Sequence, residues 1–436
     1  MNLTVTWRRA SAVTHDSPET MSNERAITAI HRCEKLAGFS EDAGSIRRTF
    51  LSPPMRDCHR DIAGWLEPLG CEVSIDAAGN LRAFYPATEQ NATRLFIGSH
   101  LDTVPNAGAF DGILGVVLGV ALLEKLNGEH LPFAIEIVGF SEEEGVRFNT
   151  PFIGSRAFVG RLDEEVLSRT DRNGVSIKRA IEAFGLRPCK IPEAAVTSDA
   201  LGYLEFHIEQ GPVLDALGLP LGVVEAVAGQ SRFEFTFIGC ANHAGTTPMN
   251  LRHDAIAAAA EWITTVERTA QQIPGLVATV GVVEAKPGAA NVIAGETRLT
   301  LDVRHRSDEI RTSVAETLIQ LAQQIAERRG LSVRYKTLLT QPAVAMNVPM
   351  LHQVEEAFRL AGCEPHRMVS GAGHDAMIVA ERIPAALIFL RTPRGVSHDP
   401  AETVRAEDVA KALEVGSHLL TLLASSVTMQ KRAHLA

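Results

Sequence analysis

A short apolar run, Arg94-Leu-Phe-Ile-Gly98, leads directly into His100, Asp102 and then Asp111-Gly112, and this order constrains the fold more than any other feature of the 436-residue chain. The run reads as a buried strand. Residues 112–126 are apolar and long enough for a helix, which Asn127-Gly128 would stop. His100 and Asp111 are therefore expected in a loop at the carboxyl end of a strand, the place where open α/β sheets hold their ligands. An imidazole and a carboxylate offered from one such loop suit a divalent cation. Asp102 is placed to accept the other ring N–H of His100 and so fix its tautomer.

The pattern on both sides supports an α/β architecture. Helical periodicity covers 24–37 and 57–69, and a hairpin pairs 71–75 with 81–85 around the turn at 76–80. Strand 95–98, helix 112–126 and strand 133–140 make a β-α-β unit. Residues 151–159 and 177–184 read as helices, 188–199 as loop and 203–207 as a short strand. From about residue 227 the texture changes to one-face-covered alternation. A strand at 231–238, an alanine-rich helix at 254–266, strands at 277–283 and 297–303, a helix at 307–328 and a strand at 331–338 give a β-α-β-β-α-β order. That order describes a ferredoxin-like α+β module. The α/β alternation then resumes with helices 350–361 and 374–380, strand 385–390 and helix 406–423. The expected organisation is an α/β unit of 24–226 and 341–436 with an α+β unit inserted at 227–340. Residues 1–23 read as a flexible tail, within which Met21 is an alternative start.

Composition narrows the function classes. A hydrophobic share of 45% and a charged share of 22% are ordinary for a soluble globular protein with a sizeable core. A formal charge of −10 argues against a nucleic-acid or anionic-membrane surface. By inspection no apolar run reaches transmembrane length, and residues 1–23 lack the apolar centre of a secretory signal. Six cysteines lie scattered without a C-x-x-C spacing, which fits reduced thiols in a cytoplasmic protein.

Three further segments carry donor groups. Strand 133–140 runs into Glu142-Glu143-Glu144, three carboxylates that repel one another unless something positive sits among them. In Tyr203-Leu-Glu-Phe-His207-Ile-Glu209, His207 and Glu209 share one side of an extended chain. His398 follows the last apolar strand. His100, Asp111, one of Glu142–Glu144, His207 and His398 are N/O donors with no cysteine among them. The set is too large for one tetrahedral zinc and suits two cations sharing a bridging carboxylate, as hydrolases use them. A glutamate is then left over to act as base.

His100-x-Asp102-Thr-Val, Asp111-Gly112, Glu142-Glu143-Glu144-Gly145-Val-Arg-Phe148, His207-Ile-Glu-Gln210-Gly211, Asn242-His243-Ala-Gly-Thr-Thr-Pro248 and Gly395-Val-Ser-His398, in this order, resemble the M20 family of dinuclear metallohydrolases. The closest likeness is to its amidase branch, which acts on allantoate, ureidoglycolate and N-carbamoyl-L-amino acids. The resemblance implies a zinc-peptidase-like catalytic domain carrying a ferredoxin-like lid, through which two subunits pair as a homodimer. It implies two divalent cations, Zn²⁺ or Mn²⁺ with Co²⁺ or Ni²⁺ as alternatives, held by His100, Asp111 as the bridge, Glu144, His207 and His398. Glu143 matches the catalytic base and Asp102 the carboxylate behind His100. Gln210, His243, Asn291, Arg304 and the Gly373 loop match substrate contacts. Arg304 would clamp a carboxylate and His243 would steady an oxyanion, often from the partner subunit's lid. His374 and Asp375 are expected to hold the glycine loop rather than bind metal. The implied reaction is hydrolysis of a ureido C–N bond in a small carboxylate substrate. Allantoate, giving ureidoglycine, ammonia and carbon dioxide, is placed first and an N-carbamoyl-L-amino acid second. Peptide or N-acyl cleavage, as in other M20 branches, is a third reading. Arg391 and Arg394 depart from the family pattern and are expected near the mouth of the site, where they would favour a dianionic or longer substrate.

Overall fold

Strands that are buried along nearly their whole length are covered on both faces, as in parallel sheets flanked by helices. In a computed structural model of the chain, which describes residues 18–197 and 200–435, the strands Arg94–His100, Ala134–Phe140, Gly202–Ile208 and Ala385–Leu390 obey this rule. Arg94 is their only residue that is not buried. The four are mutually parallel and adjacent at the centre of a nine-stranded sheet. The hairpin Glu72–Ile75 and Leu81–Tyr85 closes one edge. Leu221–Val227, which also pairs with Val344–Ala345 and Arg367–Ser370, closes the other. Parallel pairing makes all four central strands end on the same side, so the residues just past them form one cluster.

The helices Pro18–Ala37, Ile113–Leu126 and Ala406–Leu435 pack on one another, and Ile113–Leu126 lies on the strand that ends in His100. The first three turns of Ile113–Leu126 are buried all round, as expected for a helix clamped between sheet and helices.

Residues 229–341 form a second sheet with its own core. Its order is Val283–Lys286, Glu296–His305, Gly229–Ile238, Ser332–Gln341, all antiparallel, with Val277–Thr279 also on Glu296–His305. That is the ferredoxin-like order the sequence pattern predicts. Glu296–His305 alternates between buried and half-buried residues, so one face is covered, and it is covered by Ala255–Gln271 and Asp308–Arg328. Phe235, Phe237, Trp262, Leu299, Leu301 and Leu318 form a core separate from that of the larger sheet.

Several expectations change at element ends. The tail expected at 1–23 is helical from Pro18 onward, while residues 1–17 lie outside the described residues. The second helix starts at Pro53 rather than 57, because prolines in a first turn occupy positions that need no N–H partner. Pro188–Ala194 is a 3-10 helix inside the expected loop 188–199, whose last two residues are likewise not described. The expected strand 277–283 is two strands with a bulge between them: Thr279 faces Asp302 and Val283 faces Leu299, so three residues oppose two. The Thr300 hydroxyl accepts the Val282 N–H there. The last helix reaches Leu435 rather than 423, and 406–432 is long and apolar enough to cross a membrane by length and composition, contrary to the reading by inspection. Its apolar residues are instead taken up by packing on Pro18–Ala37, Val348–Leu360 and Ile113–Leu126.

Trp262 is fully buried, packs on Phe235 at 4.4 Å between ring centres and donates its indole N–H to the Leu318 carbonyl at 2.9 Å. Trp262→Ala is expected to cost about 3–5 kcal/mol, read as a lower midpoint in chemical denaturation. Cation binding at the distant large sheet should be unchanged.

Candidate metal centre

The four parallel strands deliver His100, the Glu142–Glu144 loop, His207 and the loop leading to His398 to one place. Asp111 joins them from the loop before Ile113–Leu126. Gly112 takes φ 69°, and a side chain there would run into the His100 ring, so only glycine lets Asp111 and His100 meet.

Both central imidazoles have their ring protons fixed by carbonyls. His100 Nδ1 is 3.0 Å from the Asp102 carbonyl and His207 Nδ1 is 2.9 Å from the Ile208 carbonyl. A carbonyl can only accept, so each Nδ1 carries hydrogen and each Nε2 faces inward. The two Nε2 atoms are 3.4 Å apart, and Asp111 Oδ1 lies 3.1 Å from His207 Nε2 and 3.6 Å from His100 Nε2. The other oxygen, Oδ2, lies 3.1 Å from His398 Nε2, which is 3.6 Å from Glu144 Oε1. Of four close donor groups among the described residues, two share Asp111, His100–Asp111–His207 and Asp111–Glu144–His398; the others are His100–Glu143–Glu144 and Glu205–His207–His374.

This donor set fits divalent cations. Asp111 Oδ1 is buried with no hydrogen-bond partner among the described residues, a costly state unless a cation takes its charge. In the cation-free protein, protons must do that work. Burial disfavours charge on both groups, yet the carboxylates of Asp102 and Asp111 hold His100 well above the usual histidine range. The three imidazoles hold Asp111 well below the usual carboxylate range. Hydrogen bonding to Asp111 lifts His398 to about 9, and burial with the neighbouring Asp111 charge pushes Glu144 up to about 7.

Glu143 is buried beside this set, and burial followed by the Glu144 charge raises its carboxyl well above the usual range. Gly373 borders it: a side chain on Gly373 would meet Glu143 Oε1 at 3.5 Å. Asp102 acts differently from expectation. Its backbone carbonyl, not its carboxylate, takes the His100 ring proton, and Oδ1 stays 3.5 Å from Nδ1. The backbone N–H groups of Glu143 and Glu144 claim that carboxylate at 2.9 and 3.1 Å, so Asp102 orients the acidic loop.

The expected substrate residues divide into two groups. Gln210 donates to Asp111 Oδ2 at 3.0 Å and lies 3.2 Å from His398 Nε2. Arg304 is forked onto Asp302 at 2.9 and 3.0 Å, and its remaining amino group reaches across to the Gly371 carbonyl in the loop beside Glu143. His243 and Asn291 instead lie at a small ribbon, Asn242–His243 against Val292–Ile293, with exposed side chains, and the Asn291 carbonyl accepts the Ala244 N–H there. His374 bonds Ser370 at 2.8 Å and packs edge-on to His207. Glu205 was missed: it accepts from Ser99 Oγ at 2.8 Å and from the Ala376 N–H at 2.7 Å, tying the His207 strand to that loop. The available signal was an acid two residues before His207 in an otherwise apolar strand. Arg391 is a correction. It is buried and forked onto Asp408 at 2.8 and 2.6 Å, anchoring the last helix instead of facing a substrate. Arg394 keeps an exposed side chain, its N–H bonded to Asp215.

Residues 96–422 match the profile of Peptidase family M20/M25/M40. The chain belongs to this family. It is 38% identical over 387 residues to an N-carbamoyl-L-amino acid amidohydrolase of Geobacillus stearothermophilus, covering 88% of this chain and 95% of that one. It is 35% identical over 414 residues to a probable allantoate deiminase of Oryza sativa subsp. japonica, covering 87% and 84%. The crystal structure of a hydantoinase/carbamoylase family amidase from Burkholderia multivorans superposes with a TM-score of 0.86 at 30% identity, covering 92% of this chain and 98% of that one. This M20 chain is therefore a metal-binding hydrolase acting on C–N bonds, of the amidohydrolase kind.

Cation and proton compete for the inward nitrogen of His398, so a pKa near 9 weakens cation binding at neutral pH. Apparent Mn²⁺ affinity of the stripped protein is expected to rise as pH climbs from about 6.5 towards 9. Calorimetry in buffers of different ionisation heat should show net proton release at pH 7.5 and little above pH 9.5.

Proposed function

We propose that this protein is a two-cation amidohydrolase that cleaves the ureido C–N bond of a small carboxylate-bearing substrate. Allantoate is placed first, giving ureidoglycine, ammonia and carbon dioxide. The observation that carries the reading is the meeting, within one cluster, of two triads sharing Asp111, a buried glutamate outside both, and an arginine whose free amino group reaches the loop beside that glutamate. An N-carbamoyl-L-amino acid is the second reading, favoured by the 38% identical relative.

His100, Asp111 and His207 would hold one cation and Asp111, Glu144 and His398 the other, Zn²⁺ or Mn²⁺ by donor type, with Co²⁺ or Ni²⁺ equally acceptable to it. Bound there, such cations polarise a carbonyl oxygen and acidify water. Glu143 takes a proton from the attacking water and returns it to the leaving nitrogen, a task for which its closed environment keeps the carboxyl's pKa high. Arg304 exchanges the Gly371 carbonyl for the substrate carboxylate, a planar match for its fork. Gln210 orients the ureido group beside Asp111, and the N–H groups of the Gly373 loop border it.

His243 steadies the developing oxyanion and Asn291 assists. Their exposed ribbon serves the site of a second subunit, with residues 227–340 acting as lid and dimerisation unit on a catalytic unit of 24–226 and 341–436. The exposed Met249, Leu251 and Ile256 that follow His243 support that pairing. Six free thiols suit a cytoplasmic setting.

Ammonia release by the Mn²⁺-loaded protein tests the reading across allantoate, ureidoglycolate, N-carbamoyl-L-amino acids and a dipeptide. Allantoate should be turned over best. Glu143→Gln should lose about 10²–10⁴-fold in kcat while still binding Mn²⁺. A carbamoyl amino acid as best substrate would change the substrate but not the chemistry. Dipeptide cleavage without ammonia, or full activity in Glu143→Gln, would overturn the reading.

A further inference from the structure

His398 is the most exposed of the donors, with 48% of its side chain open, and it sits in an irregular loop rather than at a strand end. Among the described residues its ring is met by Gln210, Asp111 and Glu144, all from other segments. Four residues on, Glu402 is buried between exposed neighbours, Ala401 and Thr403. No lysine or arginine pairs with it among the described residues. Its carboxylate is spent entirely on two loops. Oε1 accepts the backbone N–H groups of Phe110 and Asp111 at 3.0 and 3.1 Å, and Oε2 accepts the Ser397 hydroxyl at 3.2 Å. Gly108, in the first of these loops, lies so close that any side chain there would overlap the Glu402 carboxylate and stem. Glu402 itself is held in a turn, its N–H on the Asp399 carbonyl at 2.9 Å.

We infer that Glu402 is a positioning residue that buckles the Asp111 loop to the His398 loop and thereby assembles the second cation triad, Asp111–Glu144–His398. It does so as an acceptor bridging two loops, not as a ligand. The first triad, whose histidines are fixed at strand ends by backbone carbonyls, depends on it far less. The inference rests on the two-cation reading above.

The test is a calorimetric Mn²⁺ titration of the full-length protein, stripped with chelator, for wild type, Glu402→Ala, Glu402→Gln and Gly108→Ala. Wild type should take up two equivalents. Glu402→Ala should weaken the second about 10–100-fold, the usual effect of removing a ligand's supporting partner, and the first by less than about 3-fold. Gly108→Ala, which displaces the carboxylate without removing it, should do the same and serves if the alanine variant does not fold. Glu402→Gln keeps the acceptor oxygen for both N–H groups and can donate to Ser397, so it should stay within about 5-fold of wild type. Wild-type uptake of a single equivalent would sink the two-cation reading and the inference together. Two equivalents in wild type with unaltered second-site affinity in Glu402→Ala and Gly108→Ala would sink the inference alone. Equal loss in Glu402→Gln and Glu402→Ala would show that charge, not bridging, is what Glu402 supplies, and would also overturn it.

Discussion

Asp111 is a buried carboxylate with three imidazoles around it and one oxygen, Oδ1, that has no hydrogen-bond partner among the described residues. Such a group is tolerated only where positive charge compensates it. Much of the architecture serves that requirement. Parallel pairing brings the carboxyl ends of four central strands together, Gly112 lets the Asp111 loop turn against the His100 ring, and the backbone carbonyls of Asp102 and Ile208 turn two Nε2 atoms inward. The centre is thus imposed by strand direction before any side chain is considered.

The same logic explains how much the sequence could tell. Donors at strand ends were legible because the strands are mostly apolar and end at or beside His100, Ser141 and His207. The alternation of the second sheet was legible because only one of its faces is buried. The strands at the far side of the large sheet were not: Leu221–Val227 and Arg367–Ser370 carry no turn-bounded alternation of their own and exist because neighbouring strands are available to pair with. The roles of Asp102 and Arg391 were also out of reach. In each case the type of residue was right for the expected task, but a nearer partner took it: two backbone N–H groups for Asp102, and a buried aspartate on the last helix for Arg391. Spacing along a chain shows what a side chain can bind. It does not show which of several partners reaches it first.

That competition also separates the parts of the site that are preorganised from those that must move. His100 and His207 are fixed by backbone carbonyls at the ends of the large sheet's strands, whereas His398 lies in a more exposed loop. Arg304 belongs to the second sheet and meets the Gly371 loop through a single carbonyl, a weaker acceptor for a guanidinium than a carboxylate. Asp302 accepts from Nε and one amino group of Arg304 and so fixes the direction of the guanidinium. The His243 ribbon belongs to the second unit and its side chain is open to solvent. The site thus grades from donors fixed at the ends of the large sheet, through an arginine that joins the second sheet to the Gly371 loop, to a histidine outside the donor cluster.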